Sequence, residues 1–149
     1  MLVDRPWNQL ASASGHCGHI PAALAELRDL SAETRQAARW RIDNHVVLQG
    51  ELYEGAPWVV RELIKALSQN AHPGRALVYD LLMELALADA PGKVVFDGQQ
   101  NVPLVAATRT ELGQGRVLFE RDSTDGDPTV ARLATDLLAE MTAWEDQQG

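Results

Sequence analysis

Three groups of residues carry side chains whose types and spacing could do chemistry. The run Gly15-His16-Cys17-Gly18-His19 places two imidazoles and a thiol within four residues, and a fourth ligand would complete a zinc site. Spacing this close strains a tetrahedral centre, and no second cluster of soft ligands follows. No metal is therefore expected there. Cys17 beside His16 or His19 could also pair a thiolate with a base, but no separate asparagine or aspartate identifies itself as the orienting group. His45, with Asp43 and Glu54, is an acid–base candidate if the intervening chain folds the three together. As a histidine near a helix end it has a second reading, donating to the free carbonyls there. Asp80 and Glu84 stand one helical turn apart, close enough to share a metal or act as paired carboxylates, and they equally fit a solvated or partner-facing side. The glycine-rich tracts lack the Gly-Lys-Ser or Gly-Lys-Thr ending of a phosphate loop and follow no strand. Neither catalysis nor a cofactor is expected.

The elements that must position these groups read as helices. Apolar residues recur at steps of three and four in Val130, Leu133, Ala134, Leu137, Leu138 and Met141, with Arg132, Asp136 and Glu140 on the opposite side. Asp127-Pro128 supplies that helix with an N-cap and a first-turn proline. A second stripe, Val59, Val60, Leu63, Ile64 and Leu67, predicts a helix from about 56 that stops near Asn70. A third, Leu77, Val78, Leu81, Leu82 and Leu85, predicts one over 73–89 that Pro91-Gly92 ends. Towards the front, Pro21 opens a short helix carrying Leu24, Leu27 and Leu30, and Ser31 is placed to cap the next one, which runs through Val47. A further helix is predicted from Asn101-Val102-Pro103 to 121, with a kink or break at Gly113 and Gly115, each costing about 1 kcal/mol relative to alanine. The segment Lys93-Val94-Val95-Phe96-Asp97-Gly98 has strand character but is short and isolated, and an ordered loop is expected there.

These helices group into pairs, 20–29 with 32–48, 56–69 with 73–89, and 101–121 with 128–145. The second members start near Ser31, His72 and Asp127, and removing the stretch 90–100 brings the two intervals close together. A repeat of ~40–47 residues built from two helices is the HEAT and armadillo range. One pair alone leaves its apolar side in water, whereas stacked pairs bury a continuous core. The fold expected is all-α, a short right-handed α-solenoid of about three HEAT-like helix pairs in one domain over 1–149. Residues 1–19 would form an N-terminal cap and 90–100 an inter-repeat loop.

Charge and composition bound the partners. With 149 residues, 46% of them apolar, the chain can bury one sizeable core. Its formal net charge of -8 argues against a nonspecific grip on nucleic acid, which needs a basic face. Residues 120–149 hold eight acids against two arginines, an end that would attract a basic protein and speed its association. The bland reading of the same charge is a solvated surface that keeps the protein dispersed. No apolar run approaches the ~20 residues of a membrane span, no signal peptide is visible, and the lone Cys17 fits a reducing compartment, so a cytoplasmic location is expected.

The residues at the helix starts carry a family resemblance. Ser31-Ala32-Glu33-Thr34-Arg35-Gln36-Ala37-Ala38 and Asp127-Pro128-Thr129-Val130-Ala131-Arg132-Leu133-Ala134 are similar to the HEAT-repeat turn, in which an acidic or proline turn precedes an inward apolar residue, an arginine and alanines. Arg35 occupies the arginine position. In the last copy Ala131 takes it and the arginine moves to 132. The opening segment from Trp7 through Leu24, with the hinge Gln49-Gly50-Glu51-Leu52-Tyr53-Glu54-Gly55-Ala56-Pro57, resembles a bacterial HEAT-like group found beside secreted polymorphic toxins. The resemblance implies an immunity protein that binds a toxin directly and covers its active site. The partner it implies is a basic bacterial toxin domain, with no nucleic acid and no membrane. Partner-binding candidates are Tyr53, Glu54, Trp58, Asp80, Glu84, Asp97, Asp136 and Glu140. Trp58, next to the Val59-Val60 stripe, fits the core, and would anchor an interface only if exposed; Trp40 and Trp144 read as structural. A HEAT-like adaptor or regulatory subunit without a toxin is the alternative. A helical-repeat nucleic-acid enzyme, such as a DNA glycosylase, would need a basic concave groove and base-contacting aromatics.

Overall fold

The computed structural model describes residues 2–69 and 72–148. After a 3-10 turn at Trp7–Gln9 come strands β1 (Ala11–Ser12) and β2 (Gly15–His16), then helices α1 (Ile20–Glu26) and α2 (Ala32–Val46). The order repeats with β3 (Val47–Leu48), β4 (Glu51–Leu52), α3 (Ala56–Leu67) and α4 (Arg75–Leu87). It continues with β5 (Val94–Phe96), β6 (Asn101–Pro103), α5 (Leu104–Gly113), α6 (Arg116–Asp122) and α7 (Pro128–Gln148). Each strand pair is an antiparallel hairpin, so each of the three groups of helices is introduced by one small hairpin.

Local chemistry sets the helix ends. Ser31 Oγ accepts from Thr34 N, and Asp127 Oδ1 accepts from Thr129 N at 2.9 Å, each satisfying a first-turn donor. Pro21 and Pro57 sit second in α1 and α3, where a missing N–H costs nothing. The break predicted at Gly113 and Gly115 separates α5 from α6. The helix expected to stop near Asn70 ends at Leu67, and Asn70 itself lies outside the described residues.

Two expectations are corrected. The stretch from Val94 pairs with Asn101–Pro103 in a hairpin, because Asp97 accepts from the N–H groups of Gln99 and Gln100 and Gly98 takes a φ of 113°, closing a tight turn. Asn101-Val102-Pro103 is therefore strand, and the helix predicted from Asn101 begins at Leu104. Likewise the hinge after Val46 is no simple helix-to-helix turn. Gln49 and Gly50 both have positive φ, 52° and 77°, the twist that closes a two-residue hairpin between Val47–Leu48 and Glu51–Leu52.

The helices share one apolar core that runs from Leu10 and Ile20 through Ile42, Val60, Leu63, Leu81 and Leu82 to Phe119 and Leu137. α1 packs on α2, α3 on α4 and α6 on α7; in addition α1, α3 and α5 follow one another, as do α2, α4 and α7. Where α4 starts, Gly74 lies so close to the Leu27 carbonyl that a Cβ would collide with it, which fixes α1 against the α3–α4 connection. No described helix is long and apolar enough to cross a membrane.

Candidate functional site

The cluster at His16, Cys17 and His19 does not converge. His16 is exposed and accepts from Gly18 N, whereas Cys17 is fully buried, and burial, with the charge of Glu54 adding to it, pushes its thiol up to about 11. His19 donates through Nε2 to the Arg41 carbonyl and stacks edge-on against His45 at 4.1 Å. The His45–Asp43–Glu54 set is also dispersed. His45 Nδ1 meets Ser14 Oγ at 2.6 Å, and burial followed by the nearby His19 holds its pKa below the ordinary value. Glu54 faces the other way, accepting from Ala11 N at 2.9 Å and pairing with Arg5 at 3.4 Å. Its work is to tie the N-terminal cap to the second hairpin.

The neighbouring candidates are similarly engaged inside the molecule. Tyr53 lies under the Lys93 ammonium, 4.0 Å from the ring centre. Trp58 is 3% exposed and donates to the Val3 carbonyl at 2.9 Å, so it lacks the exposure an interface anchor needs. Val3 N in turn donates to the Asp97 carbonyl, and Arg61 holds Leu2 O and Asp4, which straps residues 2–4 across α3 to the third hairpin. Asp97 borders the cavity of about 830 Å³ beneath that strap, and the Gln100 and Gln99 N–H groups hold its carboxyl below the usual range. Glu140 accepts from Trp144 Nε1 at 3.0 Å. Of the other acids on α4 and α7, Asp80 and Glu84 are half-buried and Asp136, Glu145 and Asp146 are exposed.

Glu84 belongs to a constellation that crosses from α4 to α2. Arg39 donates to Glu84 Oε1 at 2.7 Å and stands 3.5 Å from Asp43 Oδ2, so one guanidinium serves two carboxylates. Burial and the hydrogen-bonded Asp43 push Glu84 up to about 7, against the pull of Arg39. Two acids with one counter-charge leave the site short of a cation. The pair lines a pocket of about 350 Å³ together with Val47, Leu48, the Gln49-Gly50 turn and Leu87. Exposed apolar side chains stand beside it: Trp40 is 52% exposed, Leu48 38% and Leu87 63%. Trp40 stands one turn before Asp43 on α2, its ring 5.4 Å from the Arg39 guanidinium, and so is a surface residue and not part of the core.

Sequence reasoning took Glu84 with Asp80 and Asp43 with His45, and missed that Asp43 and Glu84 meet. A signal was present. Each lies the same distance beyond the start predicted for its helix, Asp43 after Ser31 and Glu84 after His72, and α2 packs on α4, which brings them together. No family model, curated protein or solved structure matches the chain.

Proposed function

We propose that this chain is a protein-binding module whose α2–α4 face takes up a cationic side chain of a partner protein. The observation that carries the reading is the Asp43–Glu84 pair, served by a single Arg39 and set in a pocket lined by exposed Leu48 and Leu87, with exposed Trp40 against the same Arg39. A lysine or arginine entering there would supply the missing charge, while the apolar rim excludes water around it, the arrangement that makes an interface hot spot. The overall charge of -8 would steer a basic partner in.

The architecture that suits this is a short right-handed solenoid of about three HEAT-like helix pairs. Its support is the neighbour order, with α1, α3 and α5 in one succession and α2, α4 and α7 in the other. In such a stack the second helices form a continuous surface, and the Asp43–Glu84 pair bridges two of them. The specific form we favour is an immunity protein that occludes the active site of a basic bacterial toxin; an adaptor or regulatory subunit would use the same face. An acid pair and apolar rim offer nothing to a nucleic-acid backbone, which sets the helical-repeat enzyme reading aside.

Co-expression distinguishes the two binding forms. The product of the gene beside this one, expressed alone in a bacterial host, should arrest growth, and this chain should restore it. Arrest that persists with both proteins folded and abundant overturns the immunity form. A neighbour that is harmless alone but is bound by this chain establishes the adaptor form.

A further inference from the structure

We infer that the groove between α5 and α7 is a binding site for an amphipathic monocarboxylate, with Arg109 as its anion anchor. The groove holds about 410 Å³ and is lined by Pro103, Val105, Arg109, Arg116, Met141 and Trp144. It lies away from the α2–α4 face and does not depend on the function proposed for that face.

Arg109 is the unusual residue. The chain has 13 lysines and arginines, and Arg5, Arg39, Arg41, Arg61, Lys65, Arg75, Lys93, Arg116 and Arg121 each pair with a described carboxylate. Arg109 is half-buried, yet among the described residues its guanidinium has neither an ion pair nor a hydrogen bond, and its Nε is wholly buried without a partner. A charge withdrawn from water without a counter-charge is costly. In a chain of net charge -8, acids to pair with it are plentiful, yet the one described acid lining this groove, Glu145, is taken by Arg116, which leaves Arg109 free for an incoming anion.

Geometry defines the ligand. Trp144, itself 6% exposed, lies under the guanidinium with 4.6 Å from Cζ to the ring centre. The ring takes up one face of the guanidinium and fixes its plane, leaving the in-plane N–H donors for a carboxylate, which accepts two of them in parallel. Arg116, which opens α6, lines the same groove but is already neutralised by Glu145, whose charge would repel a dianion. One net positive charge is thus available, and a monoanion fits it better than a phosphate. Pro103, Val105 and Met141 then offer an apolar wall for the body of the ligand. The carboxylate could belong to a free small acid or to the C-terminus of a peptide.

Titration of the full chain with 3-phenylpropionate, its neutral amide and N-acetyl-glycyl-phenylalanine, followed by the indole N–H resonance of Trp144, tests the site. The acid should bind saturably, and the amide at least about tenfold more weakly, as expected for loss of a charge-assisted pair. Arg109→Gln should lower acid affinity by about the same factor, Arg109→Lys by less, and Glu145→Gln, which frees Arg116, should raise it. Saturable binding of the acylated dipeptide assigns the site to peptide termini as well, and binding of the free acid alone restricts it to small molecules; either supports the site. Equal binding of acid and amide, no saturation up to about 10 mM, or undiminished acid binding in a natively folded Arg109→Gln protein overturns it.

Discussion

Replacing Asp122 with alanine is expected to remove about 3–5 kcal/mol of folding stability, a large share of the ~5–15 kcal/mol that holds a domain of this size together. Asp122 is 1% exposed and is the hub of a buried polar network. It accepts from the Tyr79 hydroxyl at 2.6 Å and from Arg121 Nε at 2.8 Å, with Arg75 at 3.7 Å. Arg75 continues the chain to Asp125 through two hydrogen bonds, and Arg121 reaches back to the Leu67 carbonyl. The carboxylate therefore joins α4, α6, the end of α3 and the approach to α7. Alanine would leave the Tyr79 hydroxyl, itself 1% exposed, with no acceptor in a site shielded from water. Urea denaturation followed by circular dichroism should show a midpoint lower by about 2 M with an unchanged slope. Tyr79→Phe, which removes only the donor, should cost about 1–2 kcal/mol.

Neutralising the acid pair on the α2–α4 face has the largest expected effect on binding. Asp43→Asn combined with Glu84→Gln should weaken a complex with a cation-bearing partner by about 2–5 kcal/mol, roughly thirtyfold or more in Kd, while leaving the helices intact. The wild-type protein carries a pH signature that the variant lacks. Glu84, pushed up to about 7, is part-protonated at neutral pH, and a partner cation would pull its pKa down again. Binding then releases a proton, and affinity rises between pH 6 and 8. The free protein has the opposite slope, because a carboxyl raised in the folded state stabilises it most at low pH. That contribution is complete below the ordinary value of 4.5 and is lost as pH rises through about 7. Calorimetric titrations in buffers of different ionisation enthalpy should detect the released proton in the wild type and none in the double variant.

The same residues show what could be read from sequence. The helices were legible because their apolar residues repeat at steps of three and four, and Ser31, Pro57 and Asp127-Pro128 mark their starts. The hairpins were not, since two-residue strands are too short to display alternation, although Gln49-Gly50 had the character of a hairpin turn. The acidic surplus of residues 120–149 reads differently in three dimensions. Asp122 and Asp125 are taken by Arg75 and Arg121, Glu145 by Arg116, and Glu140 by the Trp144 indole. Those contacts span up to 50 positions and leave no local mark in the sequence. What remains to attract a partner at that end is Glu120, Asp127, Asp136 and Asp146, all exposed, whereas the acid pair of α2 and α4 is the one set in a pocket. Trp58 is buried as its place beside the apolar stripe suggested, whereas Trp40, read as structural, is exposed: apolar periodicity places a residue on a helix face but does not say which face a neighbour covers.

The most direct test is capture of the neighbouring gene's product by the tagged chain after co-expression, at about 50 mM and about 500 mM salt, with the wild type and the Asp43→Asn/Glu84→Gln variant side by side. The account predicts a complex with the wild type that weakens as salt is raised, and little or none with the variant. Recovery of the wild-type chain alone beside a folded, abundant neighbour, or equal capture by both proteins, would contradict it.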